Sequence, residues 1–546
     1  AVGISARTLV AVMLVELLML ALIAGTAGMI CGYLIAAALL PDMAASVAGL
    51  YGAQVSGQLT LEAKWWISGF GMAVLGTLAA TAVGLYKTYR LPVLSLAYAY
   101  AGRQAQERYL RRQAALACCG FLIALVAFLF GNGLVAGFVM IAGVLLGSAL
   151  LLPLALSSIL RMGESRAHGA VAQWFWADSR QQLSSLSLAL MALLLALATN
   201  VGVGTMVDGF RKTFVAWLDQ RLVAEVYFET ATGADAQRIE AWLEKRPEVT
   251  AILPVWRTET RLSGLPVEVL GFKDHATYRE HFPLLSETTD TWDSVQRGDG
   301  VLVSEQLARR MNLRLGAALE IPTSQDTWRP KVVGIYPDYG NPKGQLRVNI
   351  DALLSHWPDV MRTYYSLRVE PRAVPSLIAA MRSEFGASIV RLVDQATLKA
   401  LSTNIFERTF AVTAALNALT LLVSSIALFA CLLTLSNLRL AQLAPVWAIG
   451  VTRRRLSELE LMRILFLAAA TAVLALPLGL ILAWCLVAVV NVRAFGWRLP
   501  LYVFPGQWLL IFVLALGTAF VASIIPIIRL SRMPPTHLLR IFAIER

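Results

Sequence analysis

The sequence predicts a multi-span α-helical membrane protein that carries one extracytoplasmic α/β domain. Three observations favour this fold class. Hydrophobic residues make up 57% of the chain and charged residues only 15%, and the mean hydropathy is +0.64. Eight apolar runs have roughly the 20 residues that a helix needs to cross a bilayer. A single long polar region, from about residue 205 to residue 408, separates the fifth apolar run from the sixth.

The apolar runs predict eight membrane helices. They occupy residues 8–40, 66–86, 114–130, 134–160, 183–204, 409–436, 460–490 and 507–528. The third and fourth are joined by Gly131-Asn132-Gly133, a tight-turn sequence, so they are predicted to form an extra helical hairpin. The segment 171–180, which precedes the fifth run, contains three aromatic residues and one arginine. It predicts either an amphipathic helix on the inner membrane surface or the aromatic start of the membrane helix itself.

The charges of the loops set the orientation of these helices. The loops after the second, fourth, sixth and eighth runs are rich in arginine, whereas the alternate short loops, apart from the long region 205–408, contain only Lys64, Arg493 and Arg498 as basic residues. Because basic loops remain in the cytoplasm, residue 1 and the C-terminus are predicted to be cytoplasmic and residues 205–408 to lie outside. The outer region holds nearly equal numbers of acidic and basic residues. The net charge of +12 therefore reflects membrane topology rather than nucleic-acid binding.

The polar region alternates between strand and helix patterns, which is typical of an α/β domain. Residues 207–222 extend the fifth membrane run, and residues 395–403 lead directly into the sixth. The domain is therefore predicted to stand on two helical stalks. The predicted strands are 226–229, 265–271, 300–304, 331–335, 366–369 and 387–393, and the predicted helices are 235–246, 305–311 and 373–385.

The two membrane parts of the chain repeat each other weakly. Gly450, after the sixth run, corresponds to Gly3, and Gly479 corresponds to Gly32 in the same frame. Repeats of this kind are common in transporters. Because the first copy begins inside its loop, we expect a further helix upstream of residue 1. The predicted organisation is 1–113 for the C-terminal part of the first repeat, with two membrane helices, 114–160 for the extra hairpin, 161–204 for the surface helix and the membrane helix that opens the second repeat, 205–408 for the outer domain with its stalks, and 409–546 for the three membrane helices that close the second repeat.

The sequence contains no motif typical of an enzyme or a metal centre. A phosphate-binding loop, a nucleophile elbow and a zinc-protease motif are all missing from it. The five cysteines lie in apolar runs, so they predict neither disulfides nor a metal site. His275 and His281 are interpreted as surface histidines. Glu16 and Arg463 lie inside apolar runs at equivalent repeat positions, and they predict either a functional charge pair or side chains that extend to the cytoplasmic face.

The basic loop 439–455, between the sixth and seventh runs, carries the most specific pattern. It resembles the coupling loop of FtsX/MacB-type ABC transporter permeases, in which the pattern Arg-x-x-Glu-x-Ala-x-x-Arg-Ala-x-Gly docks on an ATPase. Here the pattern is matched at Arg439, Gln442, Ala444, Trp447, Ala448 and Gly450. Gln442 and Trp447 depart from the usual Glu and Arg. Residues 301–316 are similar to the extracytoplasmic domain of the same family, and the extra hairpin resembles the ten-helix subgroup typified by YbbP.

The resemblance implies two FtsX-like membrane repeats in a multi-pass protein of the bacterial cytoplasmic (inner) membrane. It also implies a transport subunit rather than an enzyme. ATP would be bound by a partner, an ABC-type ATPase dimer, so no cofactor and no metal are expected in this chain. The implied coupling residues are Arg439, Gln442, Ala444, Val446, Trp447, Ile449 and Gly450.

The implied activity is the export or extraction of a hydrophobic, lipid-like or peptide substrate, with ATP-driven motion transmitted to the outer domain. The lipid bilayer and an extracytoplasmic lipoprotein, hydrolase or adaptor are implied as further partners, and nucleic acid is not. Two alternatives remain open. One is a membrane scaffold that relays the state of the ATPase to an extracytoplasmic hydrolase. The other is an ion-coupled secondary transporter.

Overall fold

Long apolar helices begin the chain and end it. The computed structural model describes residues 6–51, 62–89, 101–324, 326–339, 343–448 and 450–532, and this part of the chain contains eight helices that are long and apolar enough to cross a membrane. The first five are α1 (Ala6–Tyr51), α2 (Ala63–Tyr89), α3 (Ala101–Phe130), α4 (Leu134–Arg166) and α5 (Ala170–Arg221). Each predicted run in this part of the chain lies within one of them.

The predicted hairpin corresponds to α3 and α4, whose connection includes Gly133 at a φ of +97°. Small residues let these two helices approach closely, since a Cβ atom at Gly143 would meet the carbonyl oxygen of Gly120 at 2.6 Å and the side chain of Ala124 at 3.0 Å. Small residues at such crossings are typical of helix packing in membranes, where van der Waals contact drives association.

Helix α5 is a single unbroken helix of 52 residues. Residues 171–180 form its first turns and are not a separate surface helix, so the second of the two interpretations describes them. The physical reason is that nothing in this segment breaks helical hydrogen bonding before the apolar run begins. Helix α5 then continues beyond the apolar run as the first predicted stalk, as far as Arg221.

The outer domain is an α/β unit, as predicted. Its described strands are β1 (Val226–Thr230), β2 (Val249–Leu262), β3 (Leu265–Phe272), β4 (Ser286–Glu287), β5 (Gly300–Ser304), β6 (Ile321–Pro322), β7 (Thr327–Trp328), β8 (Lys331–Tyr336), β9 (Gln345–Asn349), β10 (Tyr364–Val369) and β11 (Ile389–Asp394). Its helices are α6 (Gly233–Leu243), α7 (Ala276–His281), α8 (Thr291–Arg297), α9 (Glu305–Arg310), α10 (Ile350–His356) and α11 (Val374–Phe385).

Nine of these strands form one mixed sheet in the order β11-β1-β10-β2-β3-β9-β5-β8-β4. Most neighbours are antiparallel, whereas the pairs β3–β9 and β5–β8 are parallel. The apolar side chains of the central strands form the core, in which Phe228 stacks on Tyr365 with ring centroids 5.2 Å apart. Burial of these large side chains is the main stabilising term for the domain.

The chain returns to the membrane through α12 (Gln395–Ala448), which includes the second stalk. It continues with α13 (Arg453–Trp484), a π-helical segment (Cys485–Val490), the short α14 (Asn491–Phe495) and α15 (Pro505–Arg532). Helix α13 packs closely on α5, because a Cβ atom at Gly479 would lie 2.5 Å from the side chain of Val201. Glycine at position 479 is therefore required by the close approach of two helices.

The chain divides into two units. One consists of Ala1–Arg112 with Ile405–Val412, and the other of Gln113–Asn404 with Thr413–Arg546. In the first unit, α1 packs on α2, where Phe70 and Ala73 lie beside Gly25. In the second, α5 packs on α13 through a layer of buried Leu and Ala side chains. The second unit contains both the outer domain and the loop that resembles the coupling loop.

Candidate coupling site

The connection between α12 and α13 is built by two local signals. Gly450 has a φ of +104°, and its N–H donates to the carbonyl oxygen of Trp447 at 2.9 Å. Glycine adopts this left-handed conformation without the strain that a side chain would bring, and it commonly ends a helix in this way. The next helix begins directly afterwards, since the hydroxyl of Thr452 accepts from the N–H of Arg455 at 3.3 Å and caps α13.

The predicted coupling residues lie at this connection. Val446 and Trp447 are half-buried near the end of α12, and Gly450 is exposed in the turn. Arg439, Gln442 and Ala444 fall within α12, where the placement of their side chains is not described, and Ile449 lies outside the described residues. Val446 and Trp447 thus keep part of their apolar surface available at the end of a long helix.

A cavity of about 500 Å³ lies beside this connection, between the start of α13 and the end of α15. Leu461 and Ile527 supply apolar walls, and Arg453 and Arg454 supply positive charge. Arg454 also forms an ion pair with Glu458 at 3.3 Å, but its side chain is 92% exposed. An ion pair this exposed contributes little to stability, so the Arg454 side chain is accessible to lipid headgroups or to a partner.

Arg463 lies in a buried ionic cluster roughly two to three helical turns from the first residues of α5 and α13. Its guanidinium contacts the carboxylate of Asp178 on α5 at 3.2 Å and also that of Glu460, one turn earlier on α13. The Arg463 side chain is only 5% exposed, so it does not extend to the water. Two carboxylates satisfy a buried cation that would otherwise be strongly unfavourable in an apolar helix bundle.

An aromatic pair joins the same two helices. The indole of Trp176 packs edge-on against Phe466, with ring centroids 5.0 Å apart, and thereby joins α5 to α13 at the same level. Glu16, the other predicted intramembrane charge, belongs to the first unit and is exposed on α1. Its pairing with Arg463 stays a prediction.

A polar contact links α5 to α12 further along the membrane segment. The side-chain amide of Asn200 donates to the hydroxyl of Thr420 at 3.1 Å and to the carbonyl oxygen of Asn417 at 3.3 Å. Asn200 is buried, and such interhelical hydrogen bonds stabilise helix pairs in membranes by about 1 kcal/mol. Helix α5 is therefore joined to α12 as well as to α13.

At the outer end, α5 is fixed to the domain through the loop that follows β8. The guanidinium of Arg221 contacts the carboxylate of Asp338 at 2.9 Å, and the Asp338 side chain is only 2% exposed. The indole N–H of Trp217 donates to the carbonyl oxygen of Pro337 at 3.1 Å. A directional hydrogen bond and a largely buried ion pair thus hold the end of this stalk in one orientation.

The ion pair leads into a buried polar network inside the domain. The hydroxyl of Tyr336 donates to the side-chain oxygen of Gln345 at 2.9 Å, and the Gln345 amide donates to Glu268 at 2.7 Å. Burial raises the pKa of Tyr336 well above its ordinary value. The guanidinium of Arg347 lies 4.5 Å from the ring centroid of Phe282. Burial lowers the pKa of Arg347. This network gives the end of the stalk a rigid polar base.

The second stalk is attached beside the first. The side-chain amide of Gln395, at the start of α12, donates to the carbonyl oxygen of Leu222, and Lys399 forms an ion pair with Asp219 on α5. The backbone N–H of Gln395 also donates to the carbonyl oxygen of Glu225 at 2.9 Å. The two stalks therefore enter the domain as a connected pair.

Several residues of these contacts were not predicted from the sequence. Asp178 and Glu460 were not selected, although the spacing of three residues between Glu460 and Arg463 is a signal for an ion pair on one helix face. Asp338 gives no local signal, because its partner Arg221 is far away in the chain. Among the described residues, no group of three or more metal-ligating side chains is present.

Comparisons with known proteins agree with this arrangement. Residues 186–405 match the model of the MacB-like periplasmic core domain, and residues 414–535 match that of the FtsX-like permease C-terminal domain. An uncharacterised ABC transporter permease protein of Mycobacterium tuberculosis is 29% identical over 432 residues, which are 75% of this chain and 50% of that protein. The chain thus spans about half the length of this curated relative.

Two solved structures resemble part of the chain. The periplasmic region of MacB from Actinobacillus actinomycetemcomitans is 14% identical, with a TM-score of 0.25, over 33% of this chain and 91% of that one. The extracellular domain of the noncanonic ABC-type transporter YknZ from Gram-positive bacteria is 11% identical, with a TM-score of 0.24, over 31% and 98%. By its two matched family models, this chain is thus similar to the MacB-like periplasmic core domain over residues 186–405 and to the FtsX-like permease C-terminal domain over residues 414–535.

Proposed function

We propose that this chain is the permease subunit through which a cytoplasmic ABC-type ATPase dimer moves the outer domain. One observation carries the proposal: α5 and α12 are unbroken helices of 52 and 54 residues that continue from the membrane part into the outer domain. A helix of 52 residues is about 78 Å long, whereas the apolar part of a bilayer is about 30 Å thick. A displacement at the cytoplasmic end can therefore reach the domain along a single rigid element.

The contacts at both ends of α5 support this mechanism. Near the cytoplasm, α5 is tied to α13 by Asp178 and Arg463, and outside it is tied to the domain by Arg221 and Asp338. Helix α13 begins at the connection that resembles the coupling loop. An ATPase that binds this connection differently in its ATP-bound and ATP-free states would shift the balance between two arrangements of the helices.

The packing of the helices favours transmitted motion over an aqueous path. Leu193, Leu197 and Ala468 are completely buried between α5 and α13. A close-packed apolar interior transmits displacement because it has low compressibility. We propose that the substrate is hydrophobic, lipid-like or a peptide, and that it is exported or extracted at the outer surface by the moving domain.

The test is a substitution at the proposed ATPase contact. Trp447→Ala should weaken co-purification of the ABC-type ATPase with the full-length protein about 30-fold, because a buried aromatic anchor contributes about 2 kcal/mol to an interface. In proteoliposomes, the rate of ATP hydrolysis by the ATPase should be the same with and without this permease variant. Arg454→Gln is the matched control, because the Arg454 side chain is 92% exposed and forms only a weak ion pair with Glu458.

The outcome that contradicts this assignment is also clear. Full ATPase association in the Trp447→Ala variant, together with loss of association in Arg454→Gln, would show that the partner contacts the basic face. A protease-accessibility assay of the outer domain reports correct membrane insertion in both variants.

A further inference from the structure

The two arginines of the last outer loop, Arg493 and Arg498, are exceptions to the charge pattern of the chain. Arg498 follows α14 and lies at a cavity of about 500 Å³, between α9 of the outer domain and the outer end of α13. The outer domain contacts the end of α14 closely, because a Cβ atom at Gly496 would meet the Cβ atom of Gln306 in α9 at 3.2 Å. The cavity therefore lies where the domain meets the outer ends of the membrane helices.

One side of the cavity is positively charged. Arg309 of α9 and Arg498 both line it, together with one carboxylate, that of Glu305. The guanidinium of Arg309 contacts Glu305 at 2.8 Å, and the second carboxylate oxygen accepts from the backbone N–H of Arg498 at 3.4 Å. With two guanidiniums and one carboxylate, this side of the cavity carries a net positive charge.

The other side of the cavity is apolar and exposed. Trp484, at the end of α13, is 39% exposed, and Leu501, before α15, is 43% exposed. The apolar surface continues beyond the cavity on both sides, at Ile481 and Val503. Exposed side chains of this kind on membrane helices face lipid, so the cavity opens toward the outer leaflet.

We propose that this cavity binds an anionic phospholipid of the outer leaflet. The phosphate would be held by Arg498 and Arg309, because a guanidinium matches two phosphate oxygens at once. The upper part of an acyl chain would lie against Trp484 and Leu501. Bound in this way, the lipid joins α9 to the end of α13, next to the π-helical segment whose Val487 also lines the cavity. This inference does not depend on the proposed transport function.

The test uses the full-length protein in a neutral detergent. It is titrated with phosphatidylglycerol or with phosphatidylcholine of the same acyl chains, and separately with inorganic phosphate, while the Tm is recorded. A ligand that binds the folded state raises the Tm in proportion to its affinity. We expect phosphatidylglycerol to raise the Tm at concentrations where phosphatidylcholine and inorganic phosphate have no effect.

Two variants should act in opposite directions. Arg498→Gln should weaken the apparent affinity for phosphatidylglycerol about fivefold, the effect of one basic side chain at an anionic surface. Glu305→Gln should strengthen it, because the competing carboxylate is removed. Arg310→Gln is the control: it makes the same charge change as Arg498→Gln, it lies on α9 with Glu305 and Arg309, and Arg310 is not among the residues that line the cavity.

Three results would overturn the proposal. Equal Tm shifts with the two lipids would show that only the acyl chains bind. A saturable shift with inorganic phosphate alone would assign the site to a free anion. Weaker phosphatidylglycerol binding in both Arg498→Gln and Glu305→Gln would indicate damage to the fold, because a charge effect requires opposite signs.

Discussion

At the scale of single residues, Arg463 shows what a buried charge requires. An isolated arginine in an apolar helix is costly, so the sequence marks the residue as functional or as extending to the interface. In the structure, Asp178 and Glu460 both contact it. Asp178 lies in the segment 171–180, which the sequence predicts either as a surface helix or as the start of a membrane helix, and only the packing of α5 on α13 brings its carboxylate to the guanidinium.

Removing the charge of Arg463 alone should lower the stability more than removing the charges of Arg463 and Asp178 together. Arg463→Gln leaves two buried carboxylates close together and should cost about 3–5 kcal/mol of stability. Adding Asp178→Asn should restore part of that loss. The measurement is a double-mutant cycle on the detergent-solubilised protein.

Additive effects of these two substitutions would mean that the contact contributes no coupling energy. A parallel cycle of Glu16→Gln with Arg463→Gln tests the pairing suggested by the repeat. Strict additivity there would end that hypothesis.

A buried tyrosine of the outer domain should make stability depend on pH. Burial raises the pKa of Tyr365 to about 12, whereas the pKa of an exposed tyrosine is about 10. The folded state therefore keeps its proton at a pH where the unfolded state loses it. The contribution of the protonated Tyr365 to the free energy of unfolding is complete below about pH 10 and should be lost as the pH rises toward about 12.

Urea unfolding of the outer domain at pH 8 and pH 11 measures this effect. The fall in the free energy of unfolding between the two pH values should be smaller in Tyr365→Phe than in the natural sequence. An equal fall in both proteins would assign the alkaline loss to other groups, such as Tyr336, whose pKa burial also raises.

At the scale of elements, the two stalks are attached by contacts of different strength. The Asp338 side chain in the first attachment is 2% exposed, whereas the Lys399 and Asp219 side chains of the second are 38% and 54% exposed. Solvent screens the second pair, so its contribution is small. The orientation of the domain on its stalks therefore depends mainly on Arg221 and Asp338.

The two attachments should respond differently to substitution. Arg221→Met leaves the Asp338 carboxylate buried without its cation and should cost about 3–5 kcal/mol. Lys399→Met, the matched control, should cost about 1 kcal/mol or less. Hydrogen exchange of the full-length protein measures the difference, as lost protection near Asp338. Equal loss of protection in both variants would mean that the two attachments contribute equally to holding the domain.

At the scale of the whole molecule, the outer domain has its own core. Its central cluster contains Val226, Phe228 and Leu346, all fully buried, and the two stalks are its covalent links to the membrane part. The sheet joins the first and last strands of the domain, since β1 pairs with both β10 and β11. Closure of the sheet by its own ends is typical of a unit that folds independently.

Residues 225–395, expressed alone, should therefore fold and unfold cooperatively on heating. A single thermal transition, seen equally by circular dichroism and tryptophan fluorescence, is the expected result. A broad, non-coincident transition or an aggregating product would show that the domain needs its stalks. The same fragment serves for the alkaline unfolding experiment above.

Local patterns predicted six of the eleven described strands of this domain and missed the other five, which are β2, β4, β6, β7 and β9. Strands β1, β5 and β8 are short apolar runs, so their periodicity identifies them. Strand β9 (Gln345–Asn349) is fully buried although it contains Gln345, Arg347 and Asn349. A sequence with three polar residues in five predicts a loop, because the partners that satisfy them, such as Tyr336, are supplied by other strands.

The sequence by itself determined the membrane class, the presence of eight long apolar runs and the α/β character of the outer domain. These depend on composition and on contacts a few residues apart, which the order of residues states directly. Only the tertiary structure decided the contact of Arg463 with Asp178, the attachment of Arg221 to Asp338 and the cavity at Arg498. Each of these joins residues far apart in the chain, and the favourable partner of a buried charge exists only once helices and sheet have packed together.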